Sequence, residues 1–105
     1  MSEPADPQQI VVTDNEAGSR FDIHVGDRLG GLAAYRTVGG TITFTHTEIK
    51  SEFEGQGLGG TLAKAALDSA RDAGLTVVAQ CPFIAEWIRR HPDYQDLLLP
   101  PADRG

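Results

Sequence analysis

The sequence contains a single cysteine, Cys81, and no apolar run that approaches the roughly 18 to 20 residues of a membrane helix. One cysteine excludes an internal disulfide and any zinc site built from several cysteines, so we predict no structural metal. The first nine residues are polar and acidic, which is not typical of a signal peptide. These absences together predict a cytoplasmic protein that does not insert into a membrane.

Basic residues are also scarce. Nine Lys and Arg stand against 15 Asp and Glu, which gives a formal net charge of −6 and a pI near 4.8. Such a chain has no general electrostatic attraction for nucleic acid or for an anionic membrane surface. We therefore expect neither as a partner, whereas cationic partners such as amines are compatible with the charge.

The length of 105 residues and a hydrophobic content of 40% fit one globular domain with one modest core. Residues 1–9 and 100–105 contain prolines and charged residues without apolar periodicity, and we predict that both are disordered tails. A single folded domain is expected between them, over residues 10–99.

The first half of this domain is rich in β-branched residues and is interrupted by Gly and Asp. It predicts four consecutive strands over residues 10–13, 20–25, 29–38 and 41–49, joined by tight turns as an antiparallel meander. In the fourth strand, strict alternation would place His46 and Glu48 on the same face as the apolar Ile42 and Phe44.

The second half changes to a helical period. From Leu58 onward apolar residues recur every three or four positions until Gly74, which predicts an amphipathic helix. Residues 75–80 then resemble a short buried strand, and Cys81-Pro82 is typical of the start of a second helix that Pro92 ends. A strand, helix, strand unit of this kind is parallel and right-handed, so the predicted class is a mixed α/β fold with one central sheet.

A glycine-rich loop separates the fourth strand from the first helix. Successive backbone N–H groups and the positive end of a helix dipole can hold a phosphate or pyrophosphate there. The candidate cofactor-binding residues of this loop are Gly55, Gln56, Gly57, Leu58, Gly59 and Gly60.

The residues around the loop exclude two kinds of phosphate ligand. A dinucleotide-binding fold requires an acidic residue about 20 positions after the loop, but Gln80 and Cys81 occupy those positions. A nucleoside triphosphate loop requires a lysine before Thr61, and Gly60 is there instead. Coenzyme A or acetyl-CoA is the pyrophosphate ligand that remains.

At these residues the chain resembles the Gcn5-related N-acetyltransferase superfamily. The pyrophosphate signature of that superfamily, Gln or Arg, two residues, Gly, one residue, then Gly or Ala, falls on Glu54-x-x-Gly57-x-Gly59, with an acid at the first position. The chain is also similar to a subfamily of about 100 residues in which His-Thr-Glu-Val, a glycine loop, Cys-Pro-Phe and His-Pro-Glu-Tyr follow in order. The corresponding segments here are His46 to Ile49, Cys81 to Phe83 and His91 to Tyr94.

The resemblance implies a minimal acetyltransferase fold without the N-terminal helices of the superfamily. It implies a V-shaped opening between the fourth and fifth strands, with the pantetheine arm of acetyl-CoA along the backbone of Thr47 to Ile49. It also implies acetyl transfer to an amine.

Three side chains are candidates for the chemistry. Glu48 could act as a general base if burial at the end of an apolar strand face raised its pKa, and His46 could relay the proton. Cys81 could be a thiolate at the start of a helix that accepts the acetyl group, or a small buried residue that closes the strand. Both an acyl-enzyme and direct attack by the amine remain open, and Tyr94 is a weaker candidate for the acid.

The sequence therefore predicts an acetyl-CoA-dependent N-acetyltransferase that acts on an amine of a small molecule or a protein. The alternative is a CoA-binding module with little or no catalysis and a role in regulation or assembly. The absence of N-terminal helices that would build an acceptor pocket favours the alternative.

Overall fold

A computed structural model of the protein describes residues 9–98. The predicted tails, apart from Gln9, and residue 99 of the predicted domain lie outside this range. The strands are β1 (Ile10–Asn15), β2 (Arg20–Val25), β3 (Arg28–Val38), β4 (Thr41–Ile49) and β5 (Thr76–Ala79). The helices are α1 (Leu58–Asp72) and α2 (Pro82–Arg90), and short 3₁₀ helices cover Glu16–Gly18, Ser51–Phe53 and Pro92–Leu97.

The five strands form one sheet in the order β1-β2-β3-β4-β5. The first four pair antiparallel, as the tight turns predict, while β5 pairs parallel to β4 after the crossover through α1. The predicted class, a mixed α/β fold with a four-strand meander followed by helix, strand and helix, is confirmed.

Local sequence signals fix where the helices begin and end. Gly57 caps the start of α1 with a left-handed backbone (φ 77°), and Gly74 follows its end with φ 72°. Cys81 is the N-cap of α2 and Pro82 its first residue, as predicted. The buried residues of both helices join those of the sheet in one core. That core includes Phe21, Ile23, Ala33, Ile42, Phe44, Leu62, Ala63, Ala66, Leu67, Val77, Ile84 and Ile88.

A β-bulge in β4 overturns the predicted alternation along this strand. The Cα partners of His46 and Phe44 are the consecutive residues Ala34 and Tyr35, so Thr45 is an extra residue without a partner in β3. The extra residue reverses which face the following side chains occupy. Ile42 and Phe44 are buried, but beyond the bulge His46 and Glu48 are exposed, whereas Thr47 and Ile49 are half-buried.

Two structural features are absent from residues 9–98. None of the helices in that range is both long enough and apolar enough to cross a membrane. The same residues contain no group of three or more His, Cys, Asp or Glu side chains arranged to hold a metal ion.

Candidate functional site

An opening forms where β4 and β5 separate. The two strands pair over only four residues, from Thr41 with Thr76 to Phe44 with Ala79. The N–H of Cys81 then donates to the carbonyl oxygen of Phe44 at 2.9 Å, after which the chain turns into α2. Within the described residues no strand pairs with β4 on this side after Phe44, although β4 runs on to Ile49, about 16 Å further. The backbone of Thr47 to Ile49 therefore borders the opening.

On its other side, the end of β4 pairs closely with β3 at Gly31, a residue that the sequence analysis did not identify. Gly31 pairs with Ile49, and a Cβ at position 31 would lie 2.7 Å from Ile49 Cδ1 and even closer to the carbonyl oxygen of Glu48. Only glycine permits this approach of the two strands. A Gly-Gly pair inside a strand is the signal that could have identified it, because glycine within a strand often marks close contact between backbones.

The glycine loop lies at the same end of the sheet, between the 3₁₀ helix that follows β4 and the start of α1. Gly55 and Gly57 have φ values of 83° and 77°, and a Cβ at either position would meet no atom within 4 Å. No side chain caps α1, and the first backbone N–H that closes a helical turn is that of Thr61, which donates to Gly57 at 3.2 Å. The preceding N–H groups at the start of the helix suit an anion.

The predicted loop residues differ in what they present to a ligand. Gly55, Gln56 and Gly57 are exposed, Gly59 and Gly60 are half-buried, and the side chain of Leu58 is buried in the core. Only the backbone of Leu58 is therefore available for binding.

The charges around the loop are mixed. Arg28 pairs with Glu52, and Lys64 pairs with Asp68 at 2.8 Å, whereas Lys50 makes no ion pair within residues 9–98. Glu54, at the first position of the signature, is exposed. The backbone N–H groups and Lys50 favour a polyanion here, and Glu54 opposes it.

Cys81 lies at the point where the two strands separate. The residue is 3% exposed, and its thiol donates to the Thr47 hydroxyl, with 3.2 Å between Sγ and Oγ1. The side chain makes no capping hydrogen bond to the backbone of α2. Cys81 therefore has the predicted position at the start of the helix, but its hydrogen-bond partner is Thr47.

His46 and Glu48 lie together on the opposite face of β4. Their side chains are 64% and 54% exposed, and His46 Nε2 is 3.4 Å from Glu48 Oε1. The predicted burial of Glu48 is wrong because the bulge at Thr45 turns both side chains to solvent. Since Thr47 lies between them and contacts Cys81, the backbone of β4 separates the thiol from the imidazole.

The side chain of Tyr94 contacts α1 away from the opening. Its hydroxyl donates to Asp68 Oδ1 at 2.7 Å, and this hydrogen bond raises the pKa of Tyr94. Its ring contacts Trp87 edge-on. Asp68 lies about 15 Å along α1 from Leu58, so Tyr94 joins α1 to the C-terminal 3₁₀ helix rather than reaching the opening.

A cavity of about 440 Å³ lies near the other end of α1, between its last turns and the sheet. Its lining includes Asp14, Glu16, Tyr35, Ser69 and Ala73. None of the predicted catalytic or cofactor-binding residues is part of that lining.

Together, a sheet whose fourth and fifth strands separate beside a glycine-rich helix start defines an acyltransferase-like α/β protein. The sequence model described as GCN5-related N-acetyl-transferase matches residues 20–97, and the chain belongs to this family. The enzyme class is therefore acetyltransferase, and the predicted family and class are confirmed.

A solved structure supports the same assignment. The NMR solution structure of a GCN5-like candidate N-acetyltransferase from Staphylococcus aureus has 28% sequence identity and a TM-score of 0.65, with 90% of each chain covered. A search of curated proteins found no significant match.

Proposed function

We propose that the protein is an acetyl-CoA-dependent N-acetyltransferase that transfers the acetyl group directly to an amine of a small molecule or protein. The observation that carries this proposal is that the separation of β4 from β5 and the glycine-rich start of α1 occur at the same end of the sheet. With a single cysteine the chain holds no internal disulfide, which is compatible with the cytoplasmic location that we propose for the reaction.

The described residues fit acetyl-CoA. The backbone from Gly55 to Gly60 would hold its pyrophosphate, and the free edge of Thr47 to Ile49 would bind its pantetheine arm. When bound, acetyl-CoA would supply the activated acetyl thioester, whose C–S bond breaks as the amide bond to the acceptor forms, so that CoA leaves and takes up a proton as the thiol. Cys81 lies where β4 and β5 separate, so its side chain would lie beside the acyl group.

The acceptor amine must lose a proton before it attacks. The contact with Glu48 favours a His46 tautomer with its hydrogen on Nε2, which leaves Nδ1 free to accept that proton. Both side chains are exposed on the face of β4 opposite Cys81, so the acceptor amine would approach the acyl group from that face. In this arrangement His46 is the base and Glu48 orients it.

Direct transfer is favoured over an acyl-enzyme because of what surrounds Cys81. A nucleophilic cysteine is activated by an adjacent base or by the N–H groups at a helix start, and the Cys81 side chain makes no capping hydrogen bond to α2. The hydrogen-bond partner of this thiol is the Thr47 hydroxyl, while His46 lies across the strand. We therefore assign Cys81 to the wall of the acyl site.

We expect Cys81→Ser and Cys81→Ala to retain at least a third of the wild-type turnover, because the thiol does not attack the acetyl group. Acetyl-CoA should slow alkylation of Cys81, since the thiol lies beside the bound acyl group. Loss of more than about 100-fold in turnover with intact CoA affinity, or a mass-spectrometric adduct of acetyl on Cys81 in a single turnover, would contradict direct transfer. The single cysteine makes the alkylation readout unambiguous.

Glu54→Gln is expected to strengthen CoA binding about two- to fivefold at low salt. Two unit charges about 4 Å apart in water repel by about 1 kcal/mol, and the substitution removes that repulsion from an exposed site. Calorimetric titration with CoA measures the change, which should shrink as salt rises. Asp72→Asn, at the far end of α1, is the control; an equal gain there would show that only net charge matters.

A CoA-binding module without efficient catalysis is the second candidate. The exposure of His46 and Glu48 favours it, because neither side chain is enclosed with an acceptor. Labelled acetyl-CoA incubated with a panel of amines separates the two candidates. Turnover above the uncatalysed rate, with a saturable dependence on one amine class, supports the enzyme; saturable CoA binding without turnover supports the module.

A further inference from the structure

The side chain of Phe83 is unusual for its position in the fold. It is 41% exposed, whereas the next residue of α2, Ile84, is fully buried. The other large exposed apolar residues among those described are Ile10 and Val11 in β1 and Val38 at the end of β3. Phe83 alone of these four lies next to the glycine loop.

The ring is held against the first turn of α1. A Cβ at Gly59 would lie 2.6 Å from Phe83 Cζ and 3.2 Å from Cε1, so the close approach of the ring requires glycine at this position. Gly59 therefore makes room for a side chain, whereas a Cβ at Gly57 would meet no atom within 4 Å. The contact between Gly59 and the Phe83 ring joins the start of α1 to the start of α2.

Phe83 is also two residues from Cys81, at the apex of the opening. The ring therefore stands between the loop and the point where β4 and β5 separate. A ligand with one end on the loop and the other beside Cys81 passes the exposed part of this ring. We infer that Phe83 forms the wall on which the pantetheine arm of the cofactor packs, opposite the free edge of β4; this inference rests on the proposed function.

The chemistry of the ring suits that part of the ligand. Pantetheine is uncharged, with methylene and methyl groups between its amides, and a half-exposed aromatic ring gains from covering such groups. The pyrophosphate end carries charge and is served by the backbone of the loop. Phe83 should therefore affect ligands that contain pantetheine and leave pyrophosphate binding unchanged.

The test compares CoA with ADP, which has the pyrophosphate but lacks pantetheine. Both are titrated into ¹⁵N-labelled protein, so that millimolar affinities are measurable from amide shifts. Truncation of an aromatic contact residue typically weakens binding by a factor of about 5 to 30. We expect that loss for CoA in Phe83→Ala, ADP affinity within about twofold of wild type, and near-wild-type CoA affinity in Phe83→Tyr.

Val38→Ala is the matched control, because Val38 is 69% exposed on an element away from the loop. Unchanged CoA affinity in Phe83→Ala would overturn the inference. An equal loss for CoA and ADP would also overturn it, because the ring would then support the loop instead. Absence of CoA binding to the wild-type protein would contradict the proposed function itself. Phe83→Leu replaces Phe83→Ala if the smaller side chain prevents folding.

Discussion

Replacing His46 and Glu48 together with alanine is expected to lower turnover about 10²- to 10⁴-fold and to leave CoA affinity within about threefold of wild type. A positioned base contributes a factor of that size, whereas neither exposed side chain belongs to the loop or to the core. The measurement is the rate of CoA release with the best acceptor amine, combined with a CoA titration of the same variant.

The single variants distinguish the roles of the two residues. If Glu48 acts by orienting His46, Glu48→Ala should cost little once His46 is already alanine, because the two effects are coupled. Asp72→Ala, an exposed acid outside the opening, should retain full turnover. Full turnover in the double variant would mean that neither residue is the base, and would favour an acceptor that reacts already deprotonated.

Gly31→Val is expected to destabilise the fold by about 1 to 3 kcal/mol and to displace the end of β4. A side chain at position 31 would overlap the carbonyl oxygen of Glu48 and contact Ile49 Cδ1 at 2.7 Å, so backbone atoms would have to move. Overpacking of this kind typically costs that much. The free energy of unfolding from urea denaturation measures the effect, and CoA affinity should fall as well because the edge of β4 moves.

Gly40→Ala is the matched control for this substitution. Gly40 lies in the turn between β3 and β4, and a Cβ there would meet no atom within 4 Å. Its stability should remain within about 0.5 kcal/mol of wild type. Equal stability of the Gly31 and Gly40 variants would show that the close approach of β3 and β4 is not required.

Most of the fold could be predicted because its signals are local. The strands of the meander are bounded by glycine-containing turns, α1 ends before Gly74, and Cys81-Pro82 marks the start of α2. Each of these features depends on the residue itself and on its immediate neighbours. The order of the strands followed from short connections and a right-handed crossover.

The orientation of the candidate site could not be predicted in the same way. Whether Thr45 adds an extra residue to β4 depends on the register with β3, which is a contact distant in sequence. Without the bulge, the alternation places His46 and Glu48 with Phe44; with it, Thr47 contacts Cys81 instead. The contact between Gly59 and Phe83 is likewise tertiary, and the glycine pattern alone could not separate it from a ligand-binding role.

The central claim is that CoA binds between the glycine loop and the free edge of β4. The most direct measurement is a titration of ¹⁵N-labelled protein with CoA, with every amide shift mapped onto the fold. The predicted result is saturable shifts concentrated at Thr47 to Ile49, Gly55 to Gly60 and the start of α2. Saturable shifts confined to the cavity beside Asp14 and Tyr35, or no saturable shift at millimolar CoA, would contradict it.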